Sequence, residues 1–128
     1  MIKEAVYQLM RQRGVPYQYG EFRDVGEGIP ECYFVGEAVE IPTIDEGGMV
    51  SGTFVLNGWA KTPAAHAALI EHQERIKRDF MAPVHVSNDM GAAVIAYSHA
   101  IDVPSDVENV MRCEVNLTYS EINIANGA

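Results

Sequence analysis

Alternation of apolar and polar side chains is clearest near the end of the chain. Met111, Cys113, Val115, Leu117 and Tyr119 fall on one parity, and Arg112, Glu114, Asn116, Thr118 and Ser120 on the other. A period of two sends successive side chains to opposite faces, so Val110 to Glu121 is predicted as a strand with its apolar row toward a core. Upstream, Ala92 to Val103 repeats the pattern, with Ala93, Ile95, Tyr97, His99 and Ile101 sharing a face. Pro104 and a polar linker then separate the two segments, which predicts a hairpin with a long connection.

Two more strands are expected earlier. In Cys32 to Thr43, Tyr33, Val35, Val39 and Ile41 mark one face, interrupted by Glu37, while Phe34 and Ala38 give the other some apolar character. A bulge at Gly36 or an edge position would reconcile this pattern. Asp45 and two glycines predict a turn over Ile44 to Gly48. The returning strand, Met49 to Trp59, has Thr53, Val55, Asn57 and Trp59 on one face and Phe54 and Leu56 on the other. Apolar side chains on both faces predict a strand near the middle of the sheet, covered by a helix on one side and by a protein partner on the other.

Helical spacing appears twice. Ile2, Ala5, Val6, Leu9 and Met10 form one apolar face of a helix over Lys3 to Gln12, with Tyr7 added to its core stripe and Gly14 and Pro16 ending it. Thr62 as N-cap and Pro63 at the first helical position start a second helix that runs to Phe80. Its stripe is Ala65, Leu69, His72, Ile76 and Phe80, and Glu71 with Arg75 and Glu74 with Arg78 have the four-residue spacing that braces an exposed side. Tyr17, Tyr19 and Phe22 suggest a short strand before a glycine-rich loop, and His85 to Met90 a loop or a short strand and turn. The resulting expectation is one α+β domain over residues 1–128, fraying over 122–128. Its helices lie on one face of a mainly antiparallel, mixed-order sheet of four to five strands.

Composition narrows the function classes. The chain has 128 residues, 48% hydrophobic and 21% charged, which suits a packed globular core. Polar residues interrupt the first segment too often for a signal peptide, and no later run has membrane-span length, so a soluble intracellular protein is expected. Cys32 and Cys113 do not make a disulfide scaffold. The net charge of -9 disfavours general adhesion to nucleic acid or an anionic bilayer. The charge is also uneven. Glu21, Asp24, Glu27, Glu31, Glu37, Glu40, Asp45 and Glu46 meet only Arg23 in their stretch, whereas Lys61, Arg75, Lys77 and Arg78 lie in or just before the second helix. Opposed patches of this kind orient neighbouring copies or dock another component.

No reaction centre stands out. His66 and His72 are six apart on a helix and project to different faces, unlike the four-residue pair of a helical zinc motif. His85, Ser87, Asn88 and Asp89 read as loop chemistry, and no nucleophile elbow surrounds a serine. Glu37 and Glu40 lie on opposite faces of a strand, which does not suit paired acid and base work. Trp59 near a strand end reads as a core or interface anchor. Neither a catalytic residue, a cofactor nor a metal site is expected.

The segments Pro30-Glu31-Cys32-Tyr33-Phe34-Val35-Gly36-Glu37, Gly52-Thr53-Phe54-Val55-Leu56-Asn57-Gly58-Trp59 and Ile76-Lys77-Arg78-Asp79-Phe80 resemble tail-completion proteins of long-tailed bacteriophages and prophages, of the tail-terminator type. The resemblance implies an α+β subunit of a ring, commonly a hexamer, that caps the finished tail tube and joins it to the head. Its implied partners are further copies, the tail-tube protein and a head-completion protein, with DNA passing through without specific binding and no membrane involved. The implied location is the virion tail or neck, after assembly in the bacterial cytoplasm. No catalytic residues carry over. Local physics instead nominates Tyr33, Phe54 and Trp59 as apolar interface residues and Glu37, Glu40, Arg75 and Arg78 as polarity determinants. A neck adaptor, or a small non-enzymatic protein-binding module, is the alternative.

Overall fold

A computed structural model describes residues 1–24, 26–44, 48–89 and 91–123. Two helices and six strands follow in the order α1 (Ile2–Gln12), β1 (Tyr17–Tyr19), β2 (Cys32–Ile44), β3 (Val50–Ala60), α2 (Pro63–Phe80), β4 (Val84–Asn88), β5 (Gly91–Val103) and β6 (Met111–Asn123). The strands form one curled sheet in the order β1-β2-β3-β6-β5-β4, parallel between β1 and β2 and antiparallel elsewhere. The α+β class is therefore as the sequence predicts, with six strands instead of four to five because residues 84–88 pair with β5 as a strand of their own. Ile122 and Asn123 belong to β6, while the rest of the segment expected to fray lies outside the described residues, as do residues 45–47 of the expected turn.

Both helices seal the same side of the sheet. Ile2, Ala5, Val6 and Met10 of α1 and Ala65, Leu69, Ile76 and Phe80 of α2 join Phe34, Phe54, Leu56, Ile95, Cys113, Val115 and Leu117 in one core. Tyr7 departs from its expected place: it is 45% exposed and leans on Tyr17 with ring centroids 6.5 Å apart. Beyond α1, Gly14 takes a φ of 68°, the left-handed conformation that glycine adopts without steric cost. The C-terminal ends of the two helices are tied together by Arg13. Its Nε donates to Asp79 Oδ2 at 2.7 Å, its Nη1 to the Leu9 carbonyl, and its own carbonyl accepts from Arg75 Nη1.

Three local expectations need correction. Gly36 carries no bulge, since β2 and β3 stay in register from Cys32 to Glu40 and the irregularity falls between Glu40 and Ile44. Gly36 is instead a close-approach position, where a Cβ would lie 2.6 Å from Tyr17 Cε2 and 2.8 Å from Phe54 Cε1. The edge explanation holds, because β1 pairs only with residues 34–36. In β5 the bulge lies between Tyr97 and His99, where the partner changes from Leu117 to Asn116 with one extra residue on β5. That insertion reverses parity, so Ala100 replaces His99 on the core side, and His99 and Ile101 turn to the other face. Finally, Thr62 makes no side-chain cap; its hydroxyl donates to Glu31 Oε2 at 3.1 Å and only its carbonyl engages the helix, accepting from the Ala65 N–H.

Candidate assembly surface

The face of the sheet opposite the helices is open. Along β3, Gly52, Phe54, Leu56, Gly58 and Ala60 are buried while Ser51, Thr53, Val55, Asn57 and Trp59 are only partly so. Register brings Tyr33 of β2, Trp59 of β3 and Arg112 of β6 side by side on this open face. The Tyr33 and Trp59 rings stack at 5.4 Å with planes 19° apart, Phe22 extends the row at 4.8 Å from Tyr33, and the Arg112 guanidinium lies 5.0 Å from the Trp59 centroid. Lys61 Nζ sits 5.3 Å over Tyr33. The result is an aromatic row flanked by cations, held by stacking and by attraction between positive charge and the negative ring faces. Arg112 Nε is buried and has no hydrogen-bond partner among the described residues.

The sheet also ends unevenly. Among the described residues β2 has no strand beside it beyond Gly36, and β5 has none on its outer side beyond Ile95, where β4 begins. On the helix side, the free part of β5 and α2 border a groove of about 870 Å³ whose walls include Ile70, Lys77, Tyr97, Ala100 and Ile101. Ile70 is 49% exposed there, Ile101 is 49% exposed on the opposite face of β5, and Val39 and Ile41 on the free part of β2 are each 50% exposed. Unpaired strand edges with apolar neighbours are sites at which another chain can add.

The nominated residues divide between surface and interior. Tyr33 and Trp59 form the centre of the aromatic row, and Glu37 and Glu40 are exposed on the free half of β2. Phe54 is fully buried and is no surface anchor, because its parity places it on the helix side of the sheet, where it packs near Tyr19. Arg75 is committed to the Arg13 carbonyl and lies 4.0 Å from Glu71, while Arg78 remains exposed. Phe22, Lys61 and Arg112 were missed as members of the row. Arg112 and Lys61 had a parity or position signal, but the contact depends on cross-strand register that single-strand alternation does not supply.

The acidic approach to β2 is partly self-organised. Asp24 Oδ1 accepts from the Gly26 and Gly28 N–H groups, and these bonds hold its carboxyl below the usual aspartate value. Arg23 pairs with Glu21.

The histidines and cysteines are dispersed. His66 Nε2 bonds the Asn109 carbonyl, His99 Nδ1 the Ser98 hydroxyl, and His72 lies edge-on to Phe34. Burial pushes the Cys113 thiol up to about 12 and also raises Cys32, both of which are free thiols. Such groups are protonated at neutral pH and are poor nucleophiles. Among the described residues no His, Cys, Asp and Glu side chains gather into a metal-holding group, and no helix is long and apolar enough to cross a membrane. No protein-family model matches the sequence, and no curated protein matches it.

Proposed function

We propose that this chain is a structural subunit of a phage or prophage tail, closing into a ring that caps the tail tube and joins it to the head. The observation that carries the reading is the two-sided sheet: one face is sealed by α1 and α2, and the other keeps the Phe22-Tyr33-Trp59-Arg112 row at its surface. A stacked aromatic row with cations at its margin has the composition of an interface centre, where Trp, Tyr and Arg dominate binding energy. The resemblance of the β2, β3 and α2 segments to tail-terminator proteins supplies the kind of assembly. Copies meeting through two different surfaces make a heterologous contact, which yields a ring when the rotation closes.

The charge distribution fits the same reading. The exposed Glu37 belongs to an acidic run, and acidic groups along a channel repel phosphate and let DNA pass without sticking. Native mass spectrometry with negative-stain imaging, on the protein alone and beside purified tail tubes, tests the function. Closed rings seated on tube ends are expected. A protein that stays monomeric beside tubes and leaves their ends bare rules the proposal out.

A further inference from the structure

We propose that neighbouring copies join by strand addition, the free edge of β2 on one copy pairing with the free edge of β5 on the next, with Glu40 opposite Ala100. The inference rests on the ring reading above and specifies its subunit contact.

Backbone direction selects the residues. The Phe34 N–H donates to the Pro16 carbonyl and the Gly20 N–H to the Gly36 carbonyl, so the even-numbered backbone groups of β2 point away from β3. Ladder bonds alternate along antiparallel strands. Continuing that alternation turns Ala38 and Glu40 toward the free edge of β2; carrying it across β3 and β6 turns Ala100 and Asp102 toward the free edge of β5. The Ala38 N–H is taken by the Tyr19 hydroxyl at 3.2 Å, and Pro42 has no N–H, which leaves Glu40 as the centre of the available edge. β5 is bounded in the same way by its bulge at one end and Pro104 at the other.

Strand direction and side-chain chemistry agree with this register. β2 and β5 run oppositely within one sheet, so a second copy in the same orientation presents β2 antiparallel to β5. On the open face Val39 falls opposite Ile101, bringing together apolar side chains that are each about half exposed in one copy. On the helix side Glu40 enters the groove beside α2, where Lys77 is the cation on the helix and Arg112, whose guanidinium lies on Trp59, also lines the wall. The groove's own acids are Glu74 and Asp102, and this register sets Asp102 opposite Ala38 instead of Glu40. The paired stretch is short at both ends, which limits addition to one register and guards against open-ended edge pairing.

Cysteine cross-linking tests the contact. Val39 and Ile101 would form a non-hydrogen-bonded pair with Cα atoms about 4.5 Å apart, within disulfide range. The Val39→Cys/Ile101→Cys double variant, mildly oxidised, is expected to give a ladder of covalent oligomers ending at the ring size, with neither single variant doing so. As a second measurement, Glu40→Lys and Lys77→Glu should each raise the assembly midpoint by about tenfold, and the pair together should restore it. If wild-type rings form while the double-cysteine variant does not cross-link and the charge swap restores nothing, this contact is overturned and the ring reading stands. If the wild-type protein forms no rings either alone or on tubes, both fall.

Discussion

The two faces of β3 differ in what covers them. Phe54 and Trp59 are five residues apart on one strand, yet Phe54 is fully enclosed on the helix side whereas Trp59 stacks at the surface between Tyr33 and Arg112. One side chain is enclosed by its own chain. The other is ordered by neighbours but still has a face to offer. Apolar area buried within the subunit stabilises the fold, whereas apolar area left at the surface stabilises whatever covers it. The comparison predicts that substitutions on the helix side act on stability and those on the open side on association.

The largest effect should come from Phe54→Ala. Removing an enclosed aromatic ring leaves a cavity as well as lost burial, and a loss of about 3–5 kcal/mol in chemical denaturation is expected. Gly58→Ala, on the same face, tests packing from the opposite direction. Its added Cβ would lie 2.7 Å from both Cys113 Sγ and Phe34 Cε1 and 2.9 Å from Leu69 Cδ1. Overpacking at a site lined by strands and α2 should cost about 1–3 kcal/mol, read as a lower denaturation midpoint with an unchanged slope.

A smaller effect on the covered side is pH-dependent. His72 rests against Phe34, and burial followed by repulsion from Arg75 holds its imidazole below the ordinary value of 6.5, with Glu71 opposing. The folded state therefore binds this proton less readily than the unfolded state. Its contribution is present above the unfolded value and is lost as pH falls through the lower folded value. Melting temperatures measured from about pH 7.5 down to about pH 5 should fall more steeply for the wild-type protein than for His72→Gln.

The same comparison explains what the sequence could reveal. β6 and β3 were legible because each has one consistently buried parity, and α2 because Pro63 and its apolar spacing agree. Single-strand alternation did not say which parity of β3 the helices cover, so Phe54 and Trp59 looked equally suited to an interface. The bulge in β5 has no residue signature, and one inserted residue was enough to move His99 and Ile101 to the open face. The row itself is a product of register: Phe22 comes from a loop, Tyr33 from β2, Trp59 from β3 and Arg112 from β6. Thr62 illustrates a competing partner, since the hydroxyl expected at a helix cap is used by Glu31.

Trp59→Ala tests the central claim most directly, with thermal unfolding and native mass spectrometry performed on the same preparation in the presence of tail tubes. The substitution should cost only about 1–2 kcal/mol, well below Phe54→Ala, because Trp59 is partly exposed. The account predicts a folded variant that no longer forms rings on tube ends. A variant that caps tubes as the wild-type protein does would contradict the assignment of the open face to assembly.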